Sequence, residues 1–327
     1  MKKGLISLLC LLCWALGATA QQSSSSFTVL RLPASSHAAA LGGENISLVE
    51  DAPSAAWANP ALLANVSDNS AGLSFMTFTA GAMKLGAHYV KAFGERHTAA
   101  AQLEVMRYGA MDETDLAGNV LGSFAPRDMA LSAGYGYLFS DRWTGGATLR
   151  MVTSRYADFS SVALAVDLGL NYYDDETDLS LSAALRHAGA QVKRFDNVQE
   201  PLPLSLELGM SKGMARAPVR FHLTLVDLNR WSRHIYYKED DGRKMPLSRL
   251  LLNHVVFGID ILPSETLYFS AGYNFRRAYE LKAAGKSRMA GLALGGGLRL
   301  KALNFGLSYA RYHAAGASVM ATAAYTF

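Results

Sequence analysis

The chain of 327 residues has no apolar run long enough for a membrane-spanning helix, because beyond its first twenty residues no stretch reaches the roughly 18 uncharged positions such a helix needs. Cysteine is confined to Cys10 and Cys13 in that leading stretch. The remainder is cysteine-free, which excludes disulfides, thiol chemistry and cysteine-rich zinc sites from it. Charge of one sign is also missing. Setting aside Lys2 and Lys3 leaves 29 of the 31 basic residues against 27 acidic ones, a balance that gives no basis for a nucleic-acid partner. Proline is scarce at 9 residues, so long strands can run without interruption.

The leading stretch itself is patterned. Lys2 and Lys3 precede an apolar run from Leu5 to Leu16 and then Ala18-Thr19-Ala20, the layout of a secretory signal peptide over residues 1–20, with Gln21 expected to begin the mature chain.

What the rest contains is alternation. Val162, Leu164, Val166, Leu168, Leu170 and Tyr172 share one parity, and Ser161, Ala163, Ala165, Asp167, Gly169 and Asn171 share the other. The split recurs from Met129 to Phe139 and from Leu267 to Arg276. Successive strand side chains point to opposite faces, so one face is greasy and the other small or polar, as in a strand between lipid and a lumen. Followed along the chain, this parity predicts strands at 71–79, 84–92, 97–107, 128–139, 142–153, 160–172, 178–188, 203–212, 218–227, 251–262, 266–276, 288–300, 302–312 and 317–327. The expected fold is therefore all-β, a transmembrane antiparallel β-barrel of about 14 strands. A soluble sandwich or propeller would need a second sheet over each greasy face, and no blade-sized repeat is present.

The connections alternate in length. Long ones at 109–127, 189–202, 228–250 and 277–287 are separated by short ones at 93–96, 140–141, 173–177, 213–217, 263–265 and around Lys301. Outer-membrane barrels pair short periplasmic turns with longer extracellular loops, so both termini are expected in the periplasm of a multi-pass protein of the cell outer membrane. The chain closes on Tyr325-Thr326-Phe327, an aromatic ending common in such barrels.

Residues 21–70 break the pattern. Small residues and glycine dominate Leu32 to Gly43, and Asp51 is placed to cap a short helix that has Pro53 near its start and Asn59-Pro60 at its end. About fifty residues is long for an unstructured linker, so this segment is expected to plug the lumen from the periplasmic side, with Pro33, Gly42, Gly43, Asn59 and Pro60 shaping its turns. The division is 1–20 signal peptide, 21–70 N-terminal plug, 71–327 barrel.

Leu32-Pro33-Ala34-Ser35, Ala38 to Gly43 and Asn59-Pro60-Ala61-Leu62-Leu63, with Tyr108 to Asp115, Ala188 to Gln191, His254 to Gly258 and Gly272-Tyr273-Asn274-Phe275-Arg276-Arg277, resemble the FadL-like barrels of the Bacteroidetes type IX secretion system, the PorV/PorQ family. The resemblance covers essentially the whole mature chain; Ser35-Ser36-His37 stands where these relatives commonly have Ser-Ala-Arg. It implies a non-enzymatic component of the surface attachment complex, anchoring a PorZ-like partner beside PorU and PorV-like components, in contact with outer-membrane lipid and lipopolysaccharide. No cofactor is implied.

Candidate chemistry is thin. Gly209-Met210-Ser211-Lys212-Gly213 fits the nucleophile motif in spelling but sits at a strand end with no helix to follow. The eight histidines show no metal-binding spacing, and His88, His222 and His254 are expected in the lumen or in turns. Asp174 to Asp178 lacks the central glycine of a calcium loop, and Gly295-Gly296-Gly297 lacks a helix to present its amides to phosphate. Arg276, Arg299, Glu207 and Asp167 have lumenal parity and are expected to pair inside the barrel or with the plug. No catalytic residue and no metal site is therefore expected. The loop 228–250 mixes Trp231, Tyr236 and Tyr237 with Arg233, a composition suited to a partner interface and, for Trp231, to an aromatic belt at the membrane surface. The competing function is a FadL-like channel for hydrophobic small molecules, which uses the same fold.

Overall fold

A computed structural model describes residues 27–115, 117–195, 199–231, 246–283, 289–313 and 316–327. The expected signal peptide, and Arg233, Tyr236 and Tyr237 of the long loop, lie outside the described residues. Sixteen strands follow in chain order: β1 (Ser70–Thr77), β2 (Met83–Phe93), β3 (His97–Arg107), β4 (Met111–Thr114), β5 (Val120–Phe124), β6 (Arg127–Ser140), β7 (Trp143–Tyr156), β8 (Phe159–Asp174), β9 (Leu179–Lys193), β10 (Ser205–Gly213), β11 (Val219–Leu225), β12 (Val255–Ile261), β13 (Leu267–Asn274), β14 (Leu292–Arg299), β15 (Leu303–His313) and β16 (Gly316–Thr326). All but β4 and β5 form one closed barrel, sealed where β1 pairs antiparallel with β16 from Ser70↔Thr326 to Met76↔Met320.

Closure satisfies every backbone group inside the sheet, which is what allows strands to cross a bilayer. Among the described residues no helix is long and apolar enough to do so. The alternation has the same origin. In β8, Leu164, Val166, Leu168 and Leu170 are exposed on the outside while Ala163, Ala165 and Asp167 are buried within. Trp143 and Tyr172, ring centroids 5.2 Å apart, and Tyr325 against Phe327 at 4.9 Å mark the short-turn end with aromatic rings. Such rings suit the membrane boundary.

Three local departures from the alternation have physical causes. The 109–127 connection is not featureless, since β4 and β5 pair as a two-stranded hairpin with Met111 opposite Phe124. Strand β12 begins at Val255 because Leu247–Leu252 forms a helix, α2 in a numbering where α1 is Ser36–Ala40; its leucines recur at helical spacing and Pro246 stands at its N-cap. Strand β13 ends at Asn274, whose side chain accepts from Arg277 N (3.0 Å) and so caps a third helix, α3 (Phe275–Ala283). Arg276 therefore sits on a helix rather than on a strand.

The wall is also bulged once in its middle. Val166 pairs with Ala188 but Leu168 with Leu185, so Arg186 and His187 together oppose Asp167. His187 takes a positive φ of 57° there, and its backbone N donates to Asp167 Oδ1 (2.7 Å).

Candidate functional site

The lumen contains the N-terminal segment. Ser35 caps α1 by accepting from His37 N (3.2 Å), and Gly42 and Gly43, at φ of 104° and 94°, turn the chain out of that helix. Pro33 places its carbonyl 3.0 Å from Lys84 Nζ. Asp51 does not cap the turn that follows it; its carboxylate accepts from Ser67 N (2.7 Å), tying the segment's end to its middle. Asn59 is the capping residue instead, accepting from Ala61 N (3.0 Å) ahead of the 3-10 turn Pro60–Asn65. This turn lies so close to the wall that a Cβ at Gly146 would stand 2.3 Å from Pro60 O, and one at Gly169 1.9 Å from Asn59 Oδ1. Glycine at these two wall positions is the condition for the seat.

Around the segment the inward side chains form a polar belt. His37 Nδ1 lies 2.7 Å from Glu50, and its Nε2 lies 3.0 Å from Asp260 of β12. Asp260 also meets His222 Nε2 at 3.0 Å and accepts from Ser270 at 2.6 Å, and Arg299 donates to Glu50 at 3.2 Å. On the opposite wall Arg150 donates to Asp167 (2.6 Å), to Gln102 (3.1 Å) and to the carbonyl of Trp57 (2.9 Å). Lys84 pairs with Glu104 at 2.6 Å, Arg186 with Glu207 at 3.5 Å, and Arg276 with Asp227 and, at 3.7 Å, Glu44. Asp260, Arg150, Asp167, Lys84 and Glu104 are buried, where an unpaired charge would cost several kcal/mol, while Arg186, Arg276, Glu44 and Arg299 are partly exposed. The pairing runs from wall to segment in the contacts of His37, Glu50, Glu44 and the Trp57 and Pro33 carbonyls, so the belt is also the clamp. Burial works against a charged His37 imidazole, but Asp260 and Glu50 outweigh it and push its pKa up to about 9.

Ser211, His222 and Asp260 are linked in the order of a hydrolytic triad, with Ser211 Oγ 2.7 Å from His222 Nδ1. The arrangement has no room for a substrate. Ser211 is buried and its hydroxyl is engaged by Ser47 at 2.7 Å, with no helix behind it to supply oxyanion donors. The acidic turn 174–178 is likewise taken up by protein cations, Asp174 by Arg142 (3.3 Å) and Asp178 by Arg220 (3.0 Å).

Toward the long-loop end the lumen changes character. Met106, Ala130, Val152, Ala163 and Ala165 point inward at positions of lumenal parity, and with Leu202 they enclose Phe27, Val29 and Leu30. Phe27 and Val29 are completely buried. This is an apolar chamber, and the chain's own N-terminal side chains occupy it. Below it, between Leu30 to Ser35 and the belt residues Gln102, Glu104, Arg150 and Arg186, a cavity of about 30 Å³ remains. That is room for about one water.

Of the expected partner residues, only Trp231 lies among the described residues. Trp231 stands half-exposed on the rim, its indole donating to Leu228 O (2.6 Å) and its ring 4.3 Å from that of His254. The loop residues expected beside it lie outside the described residues. His88 and His222 are buried in the lumen, and His254 is buried at the start of β12. The features absent from the sequence reading are the chamber and the central place of His37. A signal for the latter was present in Ser35-Ser36-His37, where the basic side chain is kept as an imidazole.

No protein-family model and no curated protein sequence matches the chain. Solved structures do. A toluene transporter of Pseudomonas putida, TodX, superposes with a TM-score of 0.57 at 15% identity over 90% of this chain and 98% of its own. A Pseudomonas aeruginosa FadL homologue gives 0.54 at 11% over 89% and 98%, and the monoaromatic hydrocarbon channel CymD 0.54 at 14% over 91% and 98%. At these identities the likeness is one of fold alone, a closed barrel of fourteen antiparallel strands like those of FadL-like proteins.

Proposed function

We propose that this protein is a passage for hydrophobic small molecules across the outer membrane, with the N-terminal segment as a plug that leaves and re-enters the apolar chamber. The observation that carries this reading is the chamber itself. Its walls are apolar, and Phe27, Val29 and Leu30 fill it as a ligand of matching polarity would. Among the solved structures of similar fold are a toluene transporter and a monoaromatic hydrocarbon channel, which supports the same reading. Passage requires the plug to move, so the test is to lock it. The mature chain has no cysteine, and Ser36 and Thr322 hydroxyls lie 2.5 Å apart between α1 and β16. A Ser36→Cys/Thr322→Cys variant, oxidised in proteoliposomes, is expected to lose uptake of a labelled aromatic hydrocarbon and to regain it on reduction. Uptake indifferent to the crosslink, or no uptake by the unmodified protein, would overturn the proposal.

A second reading is favoured by the rim. The β4–β5 hairpin projects Val120 and Leu121 at 63% and 67% exposure, and Trp231 is 47% exposed on the same end. Apolar side chains of this kind outside the membrane suit a protein partner, and the resemblance to the type IX barrels supplies one, a PorZ-like surface protein. In cells, replacing residues 111–124 with a Gly/Ser linker together with Trp231→Ala is expected to release that partner while hydrocarbon uptake continues. Retention of the partner would remove this reading.

A further inference from the structure

On the lipid-facing wall, β16 carries two successive small outward residues. There the outward positions in the middle of the strand are Ala321 and Ala323, and each is flanked on both sides by a large residue. Phe305 and Leu73 pair across Ala323, and Leu307 and Phe75 pair across Ala321. The result is a slot with an alanine floor and two parallel apolar walls, part of a cleft of about 700 Å³ on the outside of the barrel. It is closed at its two ends by larger outward side chains of the same strand, Val319 and Tyr325.

We infer that this slot is a binding site for one acyl chain of a membrane phospholipid. Its depth selects the occupant. From Val319 to Tyr325 the strand advances six residues at about 3.3 Å each, and with a tilt of about 40° that is roughly 15 Å of depth, half of the ~30 Å hydrocarbon core. At that depth the surrounding medium is hydrocarbon, and one leaflet supplies a chain of matching length. The slot is oriented as well. Its Tyr325 end lies at the short-turn side, where Leu303 pairs with Tyr325, and Lys301, two residues before Leu303, stands exposed on the β14–β15 turn. A cation there suits the phosphate of a lipid whose chain lies in the slot. On the lumen side of the same wall, Thr322 holds Ser36 of the plug, so the bound chain lies one strand's thickness from α1. The site is independent of whether hydrocarbons pass through the lumen.

The experiment uses the full-length mature protein in phosphatidylethanolamine/phosphatidylglycerol vesicles carrying a phospholipid spin-labelled deep in its acyl chain, with the motionally restricted fraction read by electron paramagnetic resonance. Filling the slot with Ala321→Phe/Ala323→Phe is expected to remove about one restricted chain per barrel. Leu131→Phe, on the outward face of β6 where the side chain is already large, is expected to remove none, and Lys301→Gln to speed exchange of the restricted lipid several-fold without changing its number. If the filled variant does not assemble, Phe75→Ala/Leu307→Ala, which lowers both walls, is expected to speed exchange in the same way. Equal restricted fractions in the slot and control variants would overturn the assignment. So would crosslinking of barrels through β16 in the same vesicles, because a second copy would then be the occupant.

Discussion

The two halves of the lumen hold the same segment by different physics. Around α1 and Trp57, ion pairs and charge-assisted hydrogen bonds from His37, Arg150, Lys84 and Arg299 join apolar packing of Trp57, Leu62 and Leu63 on Val90 and Ala100; around Phe27, Val29 and Leu30 the packing is apolar, with alanine, valine and methionine lining the wall. A polar clamp is directional and fails when one partner is removed or neutralised. An apolar chamber is not directional, and a guest of similar shape can exchange with its occupant. The difference teaches where a plug of this kind would yield first to a ligand and where to a change of charge.

The largest expected effect attacks the clamp. Arg150→Ala leaves Asp167 buried beside His187 and frees the Trp57 carbonyl, and removing one partner of a buried pair costs about 4–5 kcal/mol. Denaturant unfolding in detergent micelles should show the loss, whereas an Arg150→Ala/Asp167→Ala double variant should recover part of it. Next comes the chamber. Phe27→Ala removes a fully buried ring, at about 3–4 kcal/mol for docking of the N-terminal residues. Amide exchange should rise over residues 27–32 and stay unchanged around α1 if the two halves are separable. Exchange rising equally in both would merge them into one unit.

The third effect is one of pH. His37 has a folded pKa of about 9 against an ordinary 6.5, so its contribution is fully present below about pH 6.5 and disappears as pH rises through 9. The magnitude is about 3 kcal/mol. The groups facing it are Glu50, Asp260, His222, Arg299 and Tyr268. Protease protection of the plug is expected to fall between pH 6.5 and 9.5, and His37→Gln to flatten that profile; a fall of equal size in the variant would assign the pH dependence elsewhere. The smallest effect is at the seat of the 3-10 turn. Asn59→Ala removes the cap on Ala61 N and the bond to Ile46 O (3.0 Å), at about 1 kcal/mol, visible as a small shift in the unfolding midpoint.

Legibility in the sequence followed the range of the interaction involved. The outward parity of Leu164 to Leu170 and the count of fourteen strands come from period-two patterning within short windows, and they match the closed barrel. Strand ends were harder. Leu247–Leu252 and Phe275–Ala283 are helical because of a proline N-cap in one case and an asparagine cap in the other, local signals that the strand parity of their neighbours masks. The pairing of Arg299 with Glu50 was anticipated in kind, as an ion pair between wall and plug, but its partner was not. Ring closure places residues 249 positions apart within 3.2 Å, and no spacing rule reaches that far.

By itself, then, the sequence determined a barrel and its two unlike faces, because a strand between lipid and lumen must alternate whatever its neighbours are. The tertiary structure alone decided what the lumen contains: which carboxylate meets His37, where Arg186 and His187 bulge against Asp167, and that Met106, Ala130, Val152 and Ala163 converge into one apolar chamber. Each of those strands contributes only one or two inward side chains to it, apolar among polar neighbours, and only the closing of β1 on β16 brings them to face the same segment. The alanine slot on β16 has the same origin, since its walls belong to the strands on either side.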